Sequence, residues 1–96
     1  MSASTDNQPL QDFCNHVLRI GLQSKWEDHL VEPVHKNTAL FARLYVQRAD
    51  KSSIEAAATE LEASLTICGT AHIETLAAVA GLVEELYELV DHYQIY

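Results

Sequence analysis

The sequence predicts an all-α fold: a small antiparallel bundle of four to five helices that is expected to dimerise. Three observations lead there. Only three Gly and two Pro occur in 96 residues, and 48 % of the chain is hydrophobic, with Ala, Leu and Glu, all good helix formers, prominent. Apolar residues recur three and four apart through most of the chain. Nothing alternates with the period of two that a half-buried strand requires. The length suits one domain, expected over residues 9–96, with residues 1–8 as a disordered tail. A chain this short buries only about 60–65 % of its unfolded surface, so a second copy would help it.

Each helix has a local signal. Pro9 fits the first turn of a helix, with Asn7 or Gln8 as its cap. Leu10, Phe13, Cys14, Val17, Leu18 and Gly21 then share a face, and Gly21 or Ser24 ends the helix. Ser24-Lys25-Trp26-Glu27 reads as a capping box for a short segment over residues 25–31. Pro33 disfavours helical geometry at Glu32 and is expected to break or kink the chain before a helix over residues 33–49. Ser52-Ser53-Ile54-Glu55 reads as a second capping box. The helix behind it carries Ile54, Ala57, Ala58, Leu61, Leu65 and Cys68, and Gly69 is its expected C-terminal cap. The last helix, over residues 71–93, carries two apolar rows: Ile73, Leu76, Ala80, Val83, Tyr87 and Val90, then Val79, Leu82, Leu86, Leu89 and Tyr93. A surface helix needs one stripe about 100° wide. This one must sit centrally or pack on a second chain, and Ala77, Ala78, Ala80 and Gly81 would let another helix approach. Leu82, Leu86, Leu89 and Tyr93 are the candidate dimerisation residues.

Charge is unevenly placed. Residues 1–51 hold six acids and six bases, whereas residues 52–96 hold eight acids and no base, which accounts for the net −8. The acidic half would repel a phosphate backbone, so no direct nucleic-acid contact is expected. A solvated surface and a basic partner both explain it. No apolar run approaches the roughly 18 residues of a membrane span. The first residues lack the basic and apolar regions of a signal peptide, and a cytoplasmic location is expected. Cys14 and Cys68 are too few for a disulfide framework and read as buried thiols.

Catalytic and metal chemistry find little support. Glu32 and His35 have Glu-x-x-His spacing, but a di-iron bundle needs two such pairs and two further carboxylates. Asp28, His29, Glu32 and His35, like Glu88 with His92, read as solvated helix faces. Cys14 and His16 project to different sides of their helix. There is no phosphate loop and no nucleophile elbow. His72 lacks the lysine of a phosphotransfer histidine. No catalytic residue, metal or cofactor is therefore expected, and a chain this small is not expected to hold a pocket of several hundred Å3. The remaining function is protein binding. Trp26, the one tryptophan, reads either as a lid over the core or as an interface anchor. Phe13, Val17 and Trp26 are the candidate partner-binding residues.

Cys68-Gly69-Thr70-Ala71-His72-Ile73 resembles the turn into the last long helix of TraM-type quorum-sensing antiactivators, to which QslA is comparable. The resemblance implies a dimeric helical inhibitor that masks a LuxR-type transcription activator. It does not reach the first half of the chain, so no binding residue is carried over from it. The alternative is an immunity or inhibitor protein that neutralises a basic toxin or nuclease through the acidic half.

Overall fold

The computed structural model describes residues 7–93. Four helices make up nearly all of that span: α1 (Gln8–Ser24), α2 (Asp28–Val46), α3 (Lys51–Ala71) and α4 (Leu76–Asp91), with a 3-10 turn, Ile73–Thr75, leading into α4. None of the described residues forms a strand. The fold is all-α. The tail expected before Asn7 lies outside the described residues, and α1 takes in Gln8.

Asn7 is the cap residue of α1 and Pro9 lies in its first turn, where a missing amide costs nothing. The buried face is Leu10, Phe13, Val17 and Ile20. Leu18, which spacing places on the apolar face, is 47 % exposed, and Ile20 takes the buried position instead. Ser24 does not cap the next helix. It ends α1, and Lys25 takes a left-handed conformation, φ 56°, as the C-terminal cap. Glu27 is instead the cap residue of α2, and its main-chain oxygen accepts from the amides of Leu30 and Val31 at 2.9 and 3.0 Å.

Pro33 neither breaks nor ends α2. It removes the amide that would reach the carbonyl of His29, but both residues are exposed, so water can take that bond and the helix continues. At its far end, Arg48 is left-handed (φ 62°). The amide of Ala49 bonds the Leu44 oxygen at 3.0 Å and that of Arg48 bonds the Tyr45 oxygen at 3.3 Å. This pair of bonds is the Schellman closure, made here without glycine.

Asp50, two residues before the serine expected to do so, caps α3. Its carboxylate accepts from the Ser53 amide at 3.3 Å and the Ser53 hydroxyl at 2.8 Å, and also from the Ser52 hydroxyl. Gly69 is not the end of α3, which runs on to Ala71. Its role is steric. A Cβ there would lie 3.2 Å from Leu76 Cδ2 and 3.3 Å from Val79 Cγ2, so glycine lets α4 fold back against α3.

α3 packs against both α2 and α4, while α1 lies against α4 and, less extensively, α2. The largest fully buried side chains include Phe13, Phe41, Ile54, Leu61, Leu65, Leu82 and Leu86. Buried hydroxyls bond within their own helices: Thr38 to the Val34 oxygen at 2.7 Å and Ser64 to the Leu61 oxygen at 2.8 Å. The end of α4 is closed by side chains from far away. The Tyr45 hydroxyl donates to the Leu89 oxygen at 3.1 Å and Lys51 Nζ donates to the Val90 oxygen at 2.7 Å. The lysine thus meets the negative end of the helix dipole. The Tyr93 hydroxyl donates to the Ala49 oxygen, which pins the end of α4 to the α2–α3 turn.

Candidate partner-binding surface

The seven residues expected at interfaces are all buried within the single chain. Leu82 and Leu86 are 0 % exposed, and Leu89 and Tyr93 are 7 % and 5 % exposed. The second apolar row of α4 is accounted for by a central position: Leu82, Leu86 and Leu89 belong to one core cluster with Phe13, Val17 and Leu65. Side chains so enclosed offer no area to a second copy. On the outer side of α4, Ala77 and Ala80 are accessible and Gly81 has open space beyond it, while Ile73 and Leu76 are partly exposed where the chain enters the helix.

Trp26 is likewise in the core cluster, tucked beside α1 where a Cβ on Gly21 would lie 3.7 Å from its ring. It is a lid, not an exposed anchor. Its indole N–H is buried and, among the described residues, has no acceptor, a cost of about 1–3 kcal/mol.

Phe13 and Val17, each only 1 % exposed, form parts of the walls of two clefts that flank α1. The smaller lies between α1 and α2, holds about 220 Å3 and is lined by Cys14, Val17, Leu18, His35, Thr38, Ala39 and Ala42. It is apolar but for His35 and Thr38. Leu18 stands on its edge, and Leu22, one turn further along α1, is 80 % exposed. The larger cleft lies between α1 and α4 and holds about 550 Å3, contrary to the expectation that so small a chain would have no such space. Pro9, Asp12 and Phe13 come from α1, Tyr45 from α2, Glu85, Glu88 and Leu89 from α4, and His92 from its end. Three carboxylates therefore stand around an opening whose walls are partly aromatic. Phe13, Phe41, Tyr45 and Tyr93 form a chain of ring contacts behind it, with centroids 6.5, 5.7 and 4.8 Å apart in turn.

The histidines do not converge. His29 and His35 are exposed on α2 with Asp28 and Glu32, and His92 Nδ1 lies 2.8 Å from the Glu88 main-chain oxygen. Among the described residues no group of three or more His, Cys, Asp or Glu is placed to hold a metal. Two histidines make long-range pairs that spacing could not reveal. His16 Nδ1 lies 2.5 Å from Glu85 Oε2, joining α1 to α4, and His72 Nε2 lies 2.7 Å from Glu27 Oε1, joining the α3–α4 turn to the α1–α2 turn. Burial pushes both thiols up in pKa, and Cys68 donates to the Leu30 oxygen at 3.4 Å. Both are free cysteines and, as thiols rather than thiolates, poor nucleophiles.

The His72–Glu27 pair carries a pH prediction. The hydrogen bond to Glu27 raises the His72 pKa above its ordinary 6.5, and the same bond lowers that of Glu27 below its ordinary 4.5. A raised histidine contributes stability below 6.5 and loses it as pH rises through the folded value. A lowered carboxylate contributes above 4.5 and loses it as pH falls. The pair is therefore fully stabilising between those two values. Urea unfolding at about pH 5.5 and about pH 8.5 should show greater stability at the lower pH, and His72→Gln should shrink the difference. An unchanged difference in that variant would sink the assignment.

No family model, curated protein or solved structure matches the chain. Among the described residues no helix is long and apolar enough to cross a membrane.

Proposed function

We propose that the chain is a regulatory binding protein rather than an enzyme, and that it inhibits or sequesters a protein partner in the cytoplasm. The resemblance at Cys68-Gly69-Thr70-Ala71-His72-Ile73 makes a LuxR-type transcription activator the partner of choice. The observation that carries the reading is the apolar ridge on α1. Leu18 and Leu22 are exposed beside an apolar groove, although the chain closes its core without them. Isolated exposed leucines are ordinary. Leucines in line with a groove between two helices match the way an amphipathic helix is received. We read the helices as a small antiparallel bundle that dimerises through the outer side of α4, where Ile73 and Leu76 are exposed and Ala77, Ala80 and Gly81 keep the surface low. Neither a cofactor nor contact with nucleic acid has a place in this reading.

The test is capture from native lysate at low and high salt, with the parent and with Leu18→Lys/Leu22→Lys. Both leucines are exposed, so the variant should keep its stability within about 1 kcal/mol. A transcription regulator held by the parent at high salt and lost by the variant is the expected result. A regulator retained equally by the variant would place the interface elsewhere.

The acidic cleft favours a second reading, that of an inhibitor of a basic toxin or nuclease. Such a complex would associate through charge and weaken sharply with salt. A basic protein lost at high salt and indifferent to the leucine changes would establish it over the first reading.

A further inference from the structure

We propose that α1 is an exchangeable arm, and that in a dimer of this chain each copy seats its α1 in the groove between α2 and α4 of the other. The proposal goes beyond the binding-protein reading and does not depend on it. The helices are unequally tied. Asn37 on α2 donates to Ser64 on α3 at 3.4 Å, and Cys68 on α3 donates to the Leu30 oxygen on α2 at 3.4 Å. Tyr87 on α4 donates to Glu62 on α3 at 2.6 Å, and Tyr45 on α2 donates to the Leu89 oxygen on α4 at 3.1 Å. These bonds knit α2, α3 and α4 into one unit. Among the described residues, side-chain hydrogen bonding joins α1 to that unit only through His16 Nδ1, 2.5 Å from Glu85 Oε2. α1 also meets α4 and α2 less extensively than α3 meets either. A cleft of about 550 Å3 opens along its α4 side and one of about 220 Å3 along its α2 side. A helix so loosely packed undocks at lower cost than the whole chain unfolds.

The pivot is Lys25 with Trp26. Glu27 stays with the unit, because its carboxylate lies 2.7 Å from His72 Nε2 and its main-chain oxygen accepts from the amides of Leu30 and Val31. Folding α1 back puts Lys25 in the left-handed region, φ 56°, which costs a residue with a Cβ. It also encloses the Trp26 indole N–H without an acceptor. Straightening the link relieves the first and lets the indole reach water, and a short link under such strain invites exchange. A straightened link carries α1 away from its own groove and leaves its apolar face, Leu10, Phe13, Val17 and Ile20, without cover. It also uncovers Phe41, whose ring meets Phe13 edge to face at 6.5 Å. The helix that fits the vacated groove is α1 itself, so a second copy fills it by remaking the same contacts. The core is closed to a surface contact while α1 is docked, and exchange reaches it only by replacing α1.

The test uses the full chain. Lys25→Pro fixes φ near about −65° and so prevents the return of α1, and a folded dimer by light scattering is expected. Lys25→Gly makes the left-handed turn easy and should raise the dimer dissociation constant about tenfold over the parent. In dimers mixed from 13C-labelled and unlabelled chains, isotope-filtered NOEs should join Phe13 of one copy to Phe41 of the other. A folded Lys25→Pro monomer, a Lys25→Gly dimer of parent affinity, or interchain NOEs that reach only Ala77 and Ala80 would each overturn the proposal. The last of these would leave the contact through the outer side of α4 in place. Should Lys25→Pro fail to fold, the filtered spectrum of the parent at its highest soluble concentration decides. Interchain Phe13–Phe41 NOEs there support exchange, and a parent that stays monomeric or shows none overturns it.

Discussion

Leu86→Lys should unfold the chain. Leu86 is 0 % exposed within a single copy, at the centre of the α4 face that meets the core. Removing the leucine forfeits about 1.5–3 kcal/mol of apolar burial. The lysine would then bury an ammonium with no partner prepared for it, which costs more still. Together these reach or exceed the roughly 5–15 kcal/mol that holds a domain together. Circular dichroism should show lost helix, and Leu22→Lys, at a site 80 % exposed on α1, should remain folded. The comparison also tests the placement of the α4 rows. A Leu86→Lys protein that is a folded monomer by light scattering, beside a dimeric parent, would mean that this row faces a second copy and not its own core.

Phe41→Ala should be the most costly truncation that leaves a folded protein to measure. Its ring is fully buried and joins two groups, edge to face with Phe13 at 6.5 Å and tilted against Tyr45 at 5.7 Å. A buried Phe→Ala change costs about 3–5 kcal/mol, transfer and cavity together. Aromatic pairing contributes about 0.5–1.5 kcal/mol beyond area. A second effect follows from position. Phe13 and Tyr45 both line the acidic cleft, and Phe41 packs against both rings, so the variant should disturb that wall as well as the fold. Urea unfolding at unchanged slope measures the first effect. A stability loss below about 1 kcal/mol would show that the ring is not the keystone its burial implies.

Local signals located the helices well and their ends less well. The period of apolar residues follows from helix geometry alone, so α1, α3 and α4 are evident from it. Caps were ambiguous because several polar residues stand in a row. Asp50 precedes Ser52 and Ser53 and takes both of their hydroxyls, leaving neither serine as the cap. Gly69 has the look of a helix terminator, yet its missing Cβ is needed for contact with Leu76 and Val79. That requirement exists only once α4 has folded back.

By itself, the sequence determined the all-α class, the approximate positions of the helices and the separation of charge, because each depends on neighbours within about one or two turns. It also presented α4 with two apolar rows and left open which of them would be covered. Tertiary structure decided that. It enclosed Leu82, Leu86, Leu89 and Tyr93 in the chain's own core, sank Trp26 under α1, and left Leu18 and Leu22 outside. It also brought Asp12 to the same opening as Glu85 and Glu88, and His16 to Glu85 across 69 positions of sequence. The physical reason is common to all of these. Helical period states which residues share a face, whereas the partner of that face is set by side-chain packing between distant helices, which no local spacing records.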